Sequence, residues 1–161
     1  MDEKDTRIYD NVIEYICLEL SQILRNISSK HKRNIEEIRL RNGMPVSVYF
    51  KGSDYFITPK GNLTKNKTEG ILVRKEDLKK TFQLISNYSV YAFEEEIRNG
   101  FITLKGGHRV GIGGKVLYGT KGIETIKNIS SLNIRIAREK LGVSDGVLDY
   151  IIDFPNTIYS S

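Results

Sequence analysis

Between residues 106 and 116 the chain reads Gly-Gly-His-Arg-Val-Gly-Ile-Gly-Gly-Lys-Val, and two cations, Arg109 and Lys115, bracket the bare positions Gly111 and Gly113. As a strand, this run puts His108, Val110, Ile112, Gly114 and Val116 on one face and Arg109, Gly111, Gly113 and Lys115 on the other. Glycine weakens a strand and marks a bulge or the close approach of another backbone or a ligand. Two readings follow: a helix packed tightly over Gly111 and Gly113, which makes Gly111→Val an overpacking substitution, or a shallow anion site between the cations. A dinucleotide fingerprint is not met, because Val116 stands where its third glycine belongs.

Other chemistries find too few residues. Two histidines, His31 and His108, and one cysteine, Cys17, make neither a typical zinc site nor an intramolecular disulfide. No Gly-x-Ser-x-Gly elbow and no Gly-x-x-x-x-Gly-Lys-Ser/Thr phosphate loop occurs in the 161 residues. Glu94, Glu95 and Glu96 are consecutive, and consecutive helical residues point about 100° apart, so they do not converge as a catalytic pair. No catalytic and no metal-binding residue is expected. The basic run Lys30 to Arg33 reads as a solvated helix exit.

The elements that position these residues follow from periodicity. Ile8, Val12, Ile16, Leu20, Ile23 and Ile27 form one stripe and predict a single helix over residues 7–27, with Cys17 an inert small residue at its edge. Residues 35–41 alternate, with Ile38 and Leu40 inward and Glu37, Arg39 and Arg41 outward. Asn42-Gly43 is a tight turn. Strands follow over residues 46–51 and 54–58, and then a mobile polar loop over 59–70. A short strand is expected at 71–73 and a helix over 75–87 with Leu78, Phe82 and Ile85 on one face. A second helix starts at Ser89, aligns Val90, Phe93 and Ile97, and stops at Asn99-Gly100. Residues 101–105 and 108–117 form a hairpin about Gly106-Gly107. Residues 119–122 turn, and separate strands are expected at 123–127 and 131–137, the latter with Leu132, Ile134 and Ile136 inward and Asn133 and Arg135 outward. Ser144 caps a last helix, and 157–159 opens an apolar strand. The fold class is α+β: an antiparallel sheet of six or seven strands in two groups, with three packed helices. Residues 1–140 form the domain, and 141–161 a linker and the start of something further.

Hydrophobic residues are 39% of the chain, enough for a core, and the formal net charge is +5, which suits an anionic partner. The single cysteine favours an intracellular setting. The charged N-terminus has no apolar run behind it, and no apolar run is long enough to span a membrane.

Several long motifs carry a resemblance. Glu37-Ile38-Arg39-Leu40-Arg41, Asn42-Gly43-Met44-Pro45, the run from Asn87 to Ile97, Gly106-Gly107-His108-Arg109-Val110-Gly111 and the run from Ile129 to Arg138 resemble the stage III sporulation AA family, ATPases of endospore-forming bacteria. The order of elements is more distantly similar to the N-terminal domains of type II and type IV secretion and pilus-retraction ATPases. The resemblance implies that residues 156–161 lead into a phosphate loop lying beyond Ser161, so this fragment has no cofactor and is not itself an enzyme. ATP and Mg belong to the full-length protein, which would form a hexameric ring at a mother cell-to-forespore channel. It implies a cytoplasmic, mother-cell location, peripheral at the forespore membrane. The implied partners are neighbouring subunits and membrane proteins of the channel, and the implied nucleotide or subunit contacts are Arg39, Arg41, Arg109 and Arg135. The alternatives are a nucleic-acid binding module and an interaction scaffold without its own ligand. No nucleic acid is expected, because the aromatic residues fall mainly in predicted helices and not on one open sheet face.

Overall fold

A computed structural model describes residues 2–87, 89, 91–119 and 122–138. Its centre is one seven-stranded antiparallel sheet in the order β4-β3-β2-β1-β7-β6-β5. The strands are β1 (Ile35–Arg41), β2 (Ser47–Phe50), β3 (Ser53–Ile57), β4 (Leu63–Thr64), β5 (Phe101–Thr103), β6 (Arg109–Gly119) and β7 (Gly122–Arg135). The helices are α1 (Asp2–Ile13), α2 (Leu18–Arg25), α3 (Ser29–Lys32), α4 (Lys75–Ile85) and α5 (Glu94–Arg98). The α+β class and the antiparallel sheet are as expected. The two groups of strands are joined into one sheet, because β1 pairs with β7 from Glu37↔Arg135 to Arg41↔Ser131.

Alternation decides which face is buried. Ile38, Leu40, Val48, Ile102, Val110, Leu132 and Ile134 line one face and join a single core with Tyr9, Ile13, Leu20, Leu24, Leu78, Phe82 and Ile97 from the helices. Turns fall where left-handed backbone is cheapest: Gly43 has φ 77° and Gly100 has φ 91°.

The helices depart from the periodic reading. The long N-terminal helix is broken into α1 and α2. The N–H groups of Tyr15 and Ile16 close tighter turns onto Val12 and Ile13, and the Cys17 N–H leaves the helical ladder for Thr81 Oγ1 on α4, at 3.0 Å. The apolar stripe survives because both pieces pack on the same core. Cys17 is fully buried, not at an edge. The basic run is a solvated exit only in part: Lys30 is exposed, but Lys32 is not. Ser28 caps α3, and Lys32 is buried with its ammonium 3.0 Å from Asp10 and over the Tyr9 ring.

The helix expected from Ser89 is a 3-10 turn over Tyr91–Phe93 followed by α5, and the Ser89 N–H donates to the Ser86 carbonyl. Residues 59–70 contain the edge strand β4 and a 3-10 turn capped by Asn66, whose side chain accepts from the Thr68 N–H at 3.1 Å. The two expected C-terminal strands are one strand, β7, with Asn128 in the left-handed region (φ 56°) at an irregularity. The helix from Ser144, the strand at 157–159 and the domain boundary at 140 lie outside the described residues.

Candidate functional site: an arginine-bearing sheet face

Register places the four candidate arginines together on the face away from the helices. One row across the sheet reads Asp54, Tyr49, Glu37, Arg135, Arg109, Thr103, and the next reads Phe56, Ser47, Arg39, Asn133, Gly111, Phe101. A third begins with Arg41 opposite Ser131 and Gly113. Only Ser47 is buried in these rows; the rest of the face is intermediate or exposed. The outward orientation of Arg39, Arg41, Arg109 and Arg135 is therefore observed, and one surface holds all four.

Their environments differ. Arg39 is held inside the sheet face by two carboxylates, Nε donating to Glu37 at 3.0 Å and Nη1 to Asp54 at 2.8 Å. Burial works against its charge, but the hydrogen bonds and charges of Glu37 and Asp54 outweigh it and hold its pKa above the ordinary guanidinium value. Arg135 reaches the other oxygen of Glu37 at 3.8 Å and is 69% exposed. Arg109 lies over the Phe101 ring, 4.7 Å from its centroid. Among the described residues Arg41 and Arg109 meet no carboxylate. The Glu94–Glu96 cluster takes none of the four: Glu94 pairs with Arg98 at 2.8 Å, and Glu96 accepts the Thr103 N–H. Positive charge is therefore concentrated toward β6, β7 and the end of β1.

The glycines differ from the reading in which a helix packs tightly over them. No helix covers Gly111, where a Cβ would meet only the Asn133 carbonyl oxygen at 3.9 Å. At Gly113 the crowding comes from the Ser131 hydroxyl across the strand pair. The position that admits only glycine is Gly114, at φ 146°, where a Cβ would lie 2.8 Å from Asn128 O and Ile129 Cα. The ladder shifts between Gly113 and Lys115, where a step of two residues along β6 stands against four along β7.

Sequence reasoning put Glu37 and Asn133 on the outward face but missed Asp54, which together with Glu37 neutralises Arg39. The register between strands was the needed signal. The premise about aromatic residues also changes, since Tyr49, Phe56 and Phe101 stand on this open face with the arginines.

Elsewhere, Cys17, Glu19 and Asp77 bring ligand atoms within 4.8 Å of one another. Asp77 there accepts the Arg74 N–H at 2.8 Å and the Cys17 thiol at 3.7 Å, and so caps α4. Burial pushes the Cys17 thiol pKa up.

A cleft between α1 and the β5–β6 turn is lined by Ile8, Tyr15, Lys105, His108 and Arg138. His108 is buried, and its Nδ1 accepts the Ala137 N–H at 2.9 Å, which leaves the ring proton on Nε2. Burial, and then the Arg138 charge, pull its pKa below the ordinary value. The unfolded chain therefore binds this proton more readily than the folded one. Stability is full above about pH 6.5, the unfolded value, and falls as pH drops below it. His31 is shifted the same way, by burial and then by Lys30 and Lys51. His108→Asn, which keeps an acceptor near Nδ1, should flatten the fall in urea midpoint between about pH 7 and pH 5. An unchanged slope assigns that dependence to other groups.

The fold and this face define a small α+β domain whose sheet is covered by helices on one side and offers fixed cations on the other. The profile of the family described as Sporulation stage III, protein AA matches residues 4–159, and the chain belongs to that family. The stage III sporulation protein AA of Bacillus subtilis (strain 168) is 32% identical over 142 residues, covering 88% of this chain and 42% of the relative. The chain thus spans less than half of that relative's length. Among solved structures, the ATPase DotB of Yersinia pseudotuberculosis is similar with a TM-score of 0.36 and 16% identity, over 73% of this chain and 30% of that one. That likeness is too distant to bear on function.

Proposed function

We propose that this chain is the N-terminal domain of a secretion-type sporulation ATPase, and that its arginine-bearing sheet face is where the rest of the assembly closes. The observation that supports this most is the convergence of Arg39, Arg41, Arg109 and Arg135 on one open face, with Arg41 and Arg109 meeting no carboxylate among the described residues. Arginine is a permanent cation with bidentate geometry for phosphate and carboxylate, and a cation at a terminal phosphate stabilises phosphoryl transfer. In this reading ATP and Mg bind in sequence beyond Ser161. The domain covers the nucleotide from one side and grips the neighbouring subunit of a hexameric ring. The ring sits in the mother-cell cytoplasm, peripheral to the forespore membrane, and powers the channel through contacts with its membrane proteins. Among the described residues no helix is long and apolar enough to cross a membrane. The 161 residues alone, having no phosphate loop, do not hydrolyse ATP.

The test uses Arg41→Ala with Arg109→Ala. In the 161-residue chain the pair should cost at most about 1 kcal/mol, the Arg109–Phe101 contact being the main loss. In the full-length protein it should lower ATP turnover or ring formation severalfold. Normal turnover per folded molecule, together with an unfolded short chain, would show that the arginines serve the fold.

A further inference from the structure

On the helix-covered side of the sheet, the cleft between α1 and the β5–β6 turn encloses about 920 Å³ and opens to solvent. His108 lines it and is only 6% exposed. Its Nδ1 accepts the Ala137 N–H, so Nε2 carries the ring proton and calls for an acceptor. Among the described residues Nε2–H meets none. Nor is it sealed from water. Among the described residues the buried, unpaired side-chain polar atom is Asn133 Oδ1, so Nε2, also unpaired, reaches the surface, and it does so in this cleft. Gly106 keeps it open. A Cβ at that position would lie 2.9 Å from Nε2, so the glycine that makes the turn, at φ 97°, also leaves the donor uncovered.

The other walls define the ligand's chemistry. Lys105 is exposed on the same turn and meets no carboxylate among the described residues. Lys4 and Arg138 add positive charge, but the Arg138 guanidinium is spent on the carbonyls of Asp5, Lys32 and Ile35. Two donors are left, one fixed by its backbone bond and one able to swing, and they match the two oxygens of a carboxylate. A phosphate has more oxygens and up to two charges, and finds too few fixed donors here. Glu14 on α1 sets a negative charge against a second anionic group. Ile8 and Tyr15 from α1 and Leu84 from α4 supply an apolar wall. A mostly apolar cleft with a few placed polar groups is the usual make-up of a small-molecule site. We propose that this cleft binds a small organic acid, one carboxylate on an apolar or aromatic body. The carboxylate accepts from His108 Nε2–H and Lys105, and the body lies against Ile8, Tyr15 and Leu84. The site is separate from the arginine face, because α1 and α4 cover the opposite side of the sheet.

The experiment titrates the 161-residue chain with phenylacetate and follows the Ala137 amide and the His108 ring protons by NMR. Both should shift and saturate. Phenylacetamide, the same body without the charge, should bind at least about tenfold more weakly. His108→Asn keeps an acceptor for the Ala137 N–H but has no donor where Nε2 stood, and should weaken phenylacetate binding about tenfold at low and high salt alike. Lys105→Glu changes an exposed residue that the fold does not use, and should weaken binding more at low salt than at high. If phenylacetamide binds as well as phenylacetate, the cleft is only an apolar groove and the proposal falls. It falls too if His108→Asn, shown to be folded by its amide spectrum, binds like the native chain. Should His108→Asn not fold, Lys105→Glu decides alone, and unchanged affinity there overturns the proposal. Tighter binding of phenyl phosphate than of phenylacetate also overturns it, because the cleft then selects phosphate. Any of these failures leaves the arginine face as it stands, since neither substitution touches it.

Discussion

Gly114→Val should destabilise the 161-residue chain by about 2–5 kcal/mol, while Gly111→Ala should leave it within about 1 kcal/mol of the native chain. Two costs add at Gly114. Its φ of 146° is one that side chains rarely adopt, and a Cβ there would sit 2.8 Å from both Asn128 O and Ile129 Cα. Those are backbone atoms of the paired strand, so no rotamer change can relieve the clash. The position lies where β6 and β7 shift register, with Asn128 itself left-handed opposite it. Widening that point disturbs the pairing that continues into Gly113↔Ser131 and Ile112↔Leu132, and Leu132 is in the core. At Gly111 a methyl group makes an ordinary contact at 3.9 Å, and lower freedom in the unfolded chain compensates. Urea unfolding of the two variants decides. Equal midpoints would mean that the bulge at Gly114 is not a feature of the folded chain.

That contrast shows what the sequence could and could not convey. Period-two alternation was readable wherever one sheet face meets the core. Ile38 and Leu40, Val46, Val48 and Phe50, and Leu132, Ile134 and Ile136 are buried as the pattern required. The turns at Asn42-Gly43 and Gly106-Gly107 were readable because left-handed backbone selects those residues. The same parity put all four arginines on the outward face.

What failed depends on partners remote in sequence. The break between α1 and α2 is made by Thr81, 64 residues from Cys17, and no local periodicity reports it. Lys32 reads as one cation in a basic run, yet Asp10 and Tyr9 bury it. Within Gly111, Gly113 and Gly114, the indispensable one is fixed by where the opposite strand bulges. Register likewise decides that Glu37 serves both Arg39 and Arg135, and that Asn133 Oδ1 is left over.

Arg138→Ala should cost about 2–4 kcal/mol, a loss out of proportion to a residue whose place in sequence is simply the end of a sheet. Its guanidinium acts as a clasp. Nη2 donates to the carbonyls of Lys32 at 2.6 Å and Ile35 at 2.9 Å, Nε also reaches Ile35 at 3.3 Å, and Nη1 reaches Asp5 at 3.1 Å. One side chain thus ties α1, the exit of α3 and the start of β1 to the end of β7. Burial pulls its pKa below the ordinary guanidinium value, and Asp5 and Glu36 pull it back. Removal takes the donor from three backbone carbonyls at once, and hydrogen bonds from a charged donor count for more than neutral ones. Arg138→Lys is the informative companion. An ammonium is a point charge without the planar fork, and it cannot serve three carbonyls spread over separate elements. It should recover less than half of the loss, although the charge is restored. Chemical denaturation of both variants at neutral pH, with the denaturant slope unchanged, measures this. Full recovery by lysine would assign the effect to charge near Asp5 and Glu36, and a loss below about 0.5 kcal/mol in Arg138→Ala would show that water replaces the clasp.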